Sequence, residues 1–196
     1  MTRPGLRQPF PRRRVRMTYD DDAQLVRRCR EGDDRGFEIL VRRYQGPVYH
    51  VALRMVRDPE EARDLAQTVF LKIYQHLDGY DPTQRFYSWM YRIAIHEALN
   101  HLRRHGRTEP MEGDAASPRP DPERLAVDAD VSRVVQEALM TLPANERAVV
   151  VLRHFAELSY QEIADIVGVP EKTVKSRLFT GRQRLRERLE RRGVTP

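Results

Sequence analysis

The residues from Leu158 to Arg186 admit one local structure above all others: two helices joined by a tight turn, the second heavily basic. Ser159 and Glu162 stand three apart, the spacing of a capping box, so a helix is predicted to start there. Ile163, Ala164 and Val167 supply its apolar face, and Gly168 ends it by accepting a left-handed backbone. Pro170 is then expected in the first turn of the next helix, where its missing N–H costs nothing. Between Lys172 and Arg192 there are nine lysines and arginines, against Glu187 and Glu190. Such an excess attracts phosphates by counterion release, whatever the base sequence. A basic helix can be no more than a solvated face, and helical hairpins occur in any all-α protein. The capping box, the glycine turn and the one-sided charge together favour a helix-turn-helix that lays its second helix in the major groove of DNA.

With 196 residues the chain has room for one domain or two small ones. No alternating strand pattern is found, so the fold expected is all-α. The lone Cys29 cannot form an internal disulfide or a thiolate cluster, and it fits a reducing, cytoplasmic setting. No apolar run approaches the roughly 20 residues that cross a bilayer. The N-terminal arginines are not followed by the apolar core of a secretory signal. Residues 1–17 hold six arginines and no acid, with Pro4, Pro9 and Pro11 among them. The segment 1–19 is therefore expected to be a disordered basic arm. It either brushes nucleic acid or precedes a true start at Met17; both readings stay open.

Enzyme chemistry is not expected. The six histidines (50, 76, 96, 101, 105, 154) are scattered, and no metalloprotease helix, nucleophile elbow or phosphate-cradling glycine loop appears. His101 and His105 have a zinc-like spacing of four on a helix, but Arg103 and Arg104 beside them would repel a cation, so a wet face is preferred. No cofactor, metal or small-molecule substrate is expected.

Helical periodicity runs from about Asp20 to Arg104. Asp20 to Arg30 and Asp33 to Tyr44 each carry an apolar side. Pro47 is expected to break or kink the second before Val48 to Val56 continues its stripe. Asp58-Pro59-Glu60-Glu61 is a strong helix start, with a cap, a first-turn proline and acids on the helix dipole. That helix is expected to reach about Leu77, Asp78 to Pro82 to form a loop, and Phe86 to open the last helix of the block. From Gly106 the pattern collapses into Pro110, Gly113, Ser117, Pro118, Pro120 and Pro122, which marks a flexible linker over 106–127. A second block over 128–192 holds helices near Asp128 to Met140 and Pro143 to His154, then the helix-turn-helix. The organisation expected is two small helical domains, 20–105 and 128–192, on one tether.

Two helices of the first block carry more than core. After Asp58, the apolar set Leu65, Val69, Phe70, Ile73 and Tyr74 is too wide for one face. It serves either a central helix contacted from two sides or a surface that docks a partner protein. The helix from Phe86 holds Phe86, Tyr87, Trp89 and Tyr91, with Ser88, Arg92, His96, Asn100 and Arg104 recurring every four residues. Aromatics beside cations suit single-stranded nucleic acid, because bases stack on rings while cations hold the backbone. Trp89 reads better as core; Arg92 and Asn100 lean toward nucleic acid.

Three stretches in this order resemble the extracytoplasmic-function group of bacterial RNA polymerase sigma factors, in the sigma-70 family. They are Asp58 to Tyr74, Phe86 to Arg104, and Leu142-Pro143-Ala-Asn-Glu-Arg147 with the helix-turn-helix. The likeness covers about residues 20–190. It implies a promoter-specificity subunit that binds core RNA polymerase, through its beta and beta-prime subunits, and promoter DNA. The polymerase-binding residues it implies are Asp64, Leu65, Gln67, Phe70, Leu71 and Tyr74. For the −10 element it implies Arg85, Phe86, Tyr87, Ser88, Trp89, Arg92, His96, Asn100, Arg103 and Arg104. For the −35 element it implies Ser159, Tyr160, Glu171, Lys172, Thr173, Lys175, Ser176, Arg177, Phe179, Thr180 and Arg182. An anti-sigma factor is implied as a further partner. The chain departs from the pattern at Thr68, where Glu is usual, at His96, where Asn is common, and at Thr180, near which a second arginine is frequent. The competing reading is a stand-alone helix-turn-helix regulator whose N-terminal block senses a ligand or dimerises, although such a protein has no need of the aromatic, cationic helix.

Overall fold

The computed structural model describes the backbone of residues 19–105 and 126–192; the basic arm and most of the expected linker lie outside these. Every regular element among the described residues is helical: α1 Tyr19–Arg30, α2 Asp34–Val56, α3 Pro59–Gln75, a 3-10 turn Leu77–Gly79, α4 Phe86–His105, α5 Ala126–Met140, α6 Ala144–His154, α7 Tyr160–Val167 and α8 Glu171–Glu190. The starts follow from side-chain caps. Asp58 Oδ1 accepts from the N–H groups of Glu60 and Glu61 at 2.8 and 3.0 Å, and Pro59 occupies the first turn of α3.

Pro47 does not break α2, which passes through it as one element. Leu40, Tyr44, Val48, Val51, Ala52 and Met55 form a continuous buried stripe on both sides of the proline. Packing along that stripe outweighs the roughly 3 kcal/mol that an interior proline costs. One correction is small. Pro170 stands one residue before α8 as its N-cap, with its carbonyl accepting from Thr173 N at 2.8 Å. Helix α5 begins two residues inside the stretch expected as linker.

The first block packs α1, α3 and α4 around α2, and the second packs α5, α6 and α7 against α8. Gly181 sets the approach of α8 to α6, since a Cβ there would lie 2.9 Å from Val150 Cγ2. The two blocks also pack on each other. Helix α7 packs on α4, α2 meets α5 and α6, and the buried side chains of both blocks form one contiguous cluster. Polar groups stitch the seam. Gln136 donates to Leu53 O and accepts from Arg54, both at 2.8 Å, and the Arg54 guanidinium lies 4.7 Å from the Phe155 ring centre. Arg147, 8 % exposed, donates to Met55 O at the end of α2, to Met140 O at the end of α5 and to Leu142 O in the turn after it. It thereby satisfies helix-terminal carbonyls of both blocks.

Candidate nucleic-acid interface

The helix-turn-helix forms as its residues require. Ser159 Oγ accepts from Glu162 N, Glu162 Oε2 accepts from Ser159 N at 2.8 Å, and Gly168 closes α7 at φ 67. Ile163, Ala164 and Ile166 are buried in α7, Val174, Leu178 and Gly181 are buried in α8, and α8 packs on both α7 and α6. That seating turns Lys172, Lys175, Ser176, Phe179 and Arg182 outward, with Phe179 71 % exposed; Glu171, Thr173, Arg177 and Thr180 are half-buried flanks. Lys175 bonds Glu171 at 2.6 Å and lies over the Tyr160 ring, which Arg153 also faces. Arg182 Nε donates to His154 at 3.1 Å, and burial, with the charges of Arg182 and Arg153, pushes the His154 pKa down. The basic excess of α8 is partly matched inside the protein: Arg184 pairs with Glu146 at 2.9 Å and Arg192 with Glu137. Periodicity alone shows the stripe but not these acids, which come from α5 and α6.

In the first block the stripe along α4 forms as expected. His96 and Arg104 are exposed, and Ser88, Arg92 and Asn100 are half-buried; Arg103 is exposed and donates to Asn100 Oδ1 at 2.7 Å. Arg92 keeps a buried Nε with no hydrogen-bond partner among the described residues. Phe86 and Tyr87 are buried, so neither offers a free stacking face. Trp89 is half-buried, packed on Phe86 and Tyr80 at 5.9 and 5.3 Å between ring centres. The loop before α4 is built rather than loose. Asp81 accepts from Thr83 N and Oγ1, Tyr80 donates to Gln84 O, and Arg30 spans Leu77 O, Asp78 O and Tyr80 O. Arg30 is a residue sequence reading passed over, because its partners are carbonyls, which leave no mark in the side-chain pattern.

Helix α3 divides its wide apolar set between a buried and an exposed side. Leu65, 7 % exposed, Val69 and Ile73 face the core, so Leu65 has little to offer a partner. Leu71 and Tyr74 project from the other side at 57 % and 52 % exposure, with Asp64 and Gln67 exposed and Phe70 half-buried. His101, the one of the zinc-spaced pair whose side chain is described, lies 3.1 Å from Glu61 Oε2.

One chain thus presents a helix-turn-helix with an exposed basic face, a helix with a polar, cationic stripe beside a half-buried tryptophan, and an exposed apolar pair on α3. This is a bipartite nucleic-acid-binding protein. Residues 40–108 match the family described as sigma-70 region 2, and residues 132–185 match sigma-70, region 4. The chain is 37 % identical over 186 residues to the RNA polymerase sigma-H factor of Pseudomonas aeruginosa, covering 89 % of this chain and 96 % of that one. It is 33 % identical over 181 residues to the ECF RNA polymerase sigma-E factor of Escherichia coli K12, covering 86 % and 94 %. The fold is also that of the sigma factor RpoE of Bartonella quintana, solved with the anti-sigma factor NepR (TM-score 0.65, 24 % identity, covering 79 % of this chain and 96 % of that one). The chain belongs to the sigma-70 family, as an RNA polymerase sigma factor of the extracytoplasmic-function group. No helix among the described residues is long and apolar enough to cross a membrane.

Proposed function

We propose that this chain divides promoter selection among three surfaces. The exposed face of α3, with Asp64, Gln67, Phe70, Leu71 and Tyr74, docks on the clamp of core polymerase. The α4 stripe, from Arg85 through Trp89, Arg92, His96, Asn100, Arg103 and Arg104, holds unpaired −10 bases, stacking them and neutralising their phosphates. The outer face of α8 enters the −35 major groove. There Lys175, Ser176 and Arg182 reach base edges or phosphates, and Phe179 packs on a thymine methyl. Ser159 and Tyr160 at the head of α7 approach the adjoining phosphates, and Lys172, Thr173, Arg177 and Thr180 flank the groove. The chain acts in the cytoplasm, without cofactor and without enzymatic chemistry of its own, and an anti-sigma factor silences it by covering the Leu71–Tyr74 patch.

The observation that carries this reading is the exposed apolar pair Leu71 and Tyr74, on the helix that also braces α4. Runoff transcription on a genomic promoter library with core enzyme tests it. The wild type directs transcripts from a subset of promoters. Leu71→Asp with Tyr74→Asp abolishes them by removing polymerase binding while the helical content stays unchanged. Tight operator binding by the free protein with no affinity for core enzyme would overturn the assignment.

A further inference from the structure

Arg182 is held differently from the paired cations on either side of it. Lys175 bonds the carboxylate of Glu171 at 2.6 Å, and Arg184 bonds that of Glu146 at 2.9 Å. Arg182 is tied to an imidazole instead, its Nε lying 3.1 Å from Nε2 of His154, the last residue of α6. Arginine has only donors, so Nε2 accepts and carries no proton in that bond. A carboxylate would fix the side chain and cancel its charge; an imidazole nitrogen fixes it and leaves the charge whole. The two Nη groups of Arg182 make no hydrogen bond among the described residues. With Nε occupied, they are the edge of the guanidinium left for a ligand.

Lys175, Phe179 and Arg182 recur at helical spacing on one exposed face of α8. His154 stands outside that helix. Arg153 beside it is engaged elsewhere, donating to Leu158 O at 2.7 Å and lying 5.0 Å from the Tyr160 ring centre. Two parallel donors at the end of a guanidinium match O6 and N7 of guanine in the major groove. A phosphate presents oxygens on several sides and tolerates many approaches. A base edge is read only by a side chain held in one orientation by its neighbours.

We propose that His154 is a positioning residue for promoter reading: it holds Arg182 by Nε so that the two Nη groups meet a guanine edge in the −35 groove. Base preference is thus set in part from outside the recognition helix. This rests on the assignment of α8 to the −35 duplex made above.

Holoenzyme reconstituted from core polymerase and the full chain tests it, on a barcoded promoter library in which only the −35 segment is randomised. The wild type is compared with Arg182→Ala, His154→Ala, His154→Gln and the double variant His154→Ala, Arg182→Ala. The amide oxygen of glutamine still accepts a hydrogen bond, whereas alanine removes the acceptor. Circular dichroism checks that each variant stays helical.

The wild type should prefer guanine by about tenfold at one −35 position, and Arg182→Ala should erase that preference. His154→Ala should weaken it by about fivefold at the same position and leave preferences elsewhere within about twofold. His154→Gln should restore most of what alanine loses. The double variant should read no worse than Arg182→Ala, because the two side chains act as one unit.

An unchanged guanine preference in His154→Ala overturns the positioning role, and so does a glutamine variant that reads no better than alanine. If Arg182→Ala lowers output on all templates alike, Arg182 holds a phosphate and the base-reading role is overturned. Each of these results leaves α8 in the groove. Wild-type transcription with no base preference anywhere in the randomised segment would instead remove α8 from the −35 element, and the positioning role with it.

Discussion

Arg147 shows how a single side chain can serve two domains. Its guanidinium reaches carbonyls of Met55, Met140 and Leu142, and burial lowers its pKa. No carboxylate figures among these bonds; its partners are dipoles at helix ends. Arg147→Ala leaves those carbonyls buried and unpaired, and is expected to lower unfolding free energy by about 2–4 kcal/mol in urea titrations. Arg147→Lys is expected to recover less than half of the loss, because one ammonium cannot span the fork that the guanidinium fills. From sequence, Arg147 is a member of a recognisable motif. That it is buried, and what it bonds, depends on a helix end ninety-two residues away.

At the scale of elements, local chemistry was almost fully legible. Asp58-Pro59, Ser159 with Glu162, and Gly168 each terminate a helix where the spacing said, because caps act over three or four residues. Pro47 left open whether the helix breaks or bends, because proline's cost is local and constant, while the packing that keeps α2 one element comes from α1, α3 and α4. Helix seating was less legible: which face of α8 is turned outward depends on where α6 and α7 press. Gly181 fixes that seating by its close approach to Val150. Gly181→Ala, although helix-favouring by up to about 1 kcal/mol, is expected to cost about 1–2 kcal/mol net by overpacking. Thermal unfolding measures the loss, and no change in midpoint would show that α6 and α8 have room to spare.

For the whole molecule the decisive fact is that two blocks share a core and a polar seam. The seam should respond to acid. Burial opposes ionisation of Glu162, but hydrogen bonds from Tyr87 and Ser159 and the Arg85 charge prevail and hold its pKa below the ordinary 4.5. A carboxylate depressed in the folded state adds stability that is complete above its unfolded pKa and disappears as pH falls through the folded value. Scattering between pH 6 and pH 3, roughly, should therefore show the wild type expanding only below about pH 4.5, whereas Glu162→Gln should show no such step. An identical acid response in both proteins would remove Glu162 from the seam.

The order of residues was enough to specify eight helices' worth of local structure, the family resemblance and the stripes on α4 and α8, because periodicity and capping are written within a few positions of one another. It was silent on the domains closing over α4. Glu162 is already accounted for by Ser159 three residues earlier, so nothing in the string announces that its other oxygen has a partner. Charges far apart along a chain have many possible mates, and which ones meet depends on how the helices stack in space.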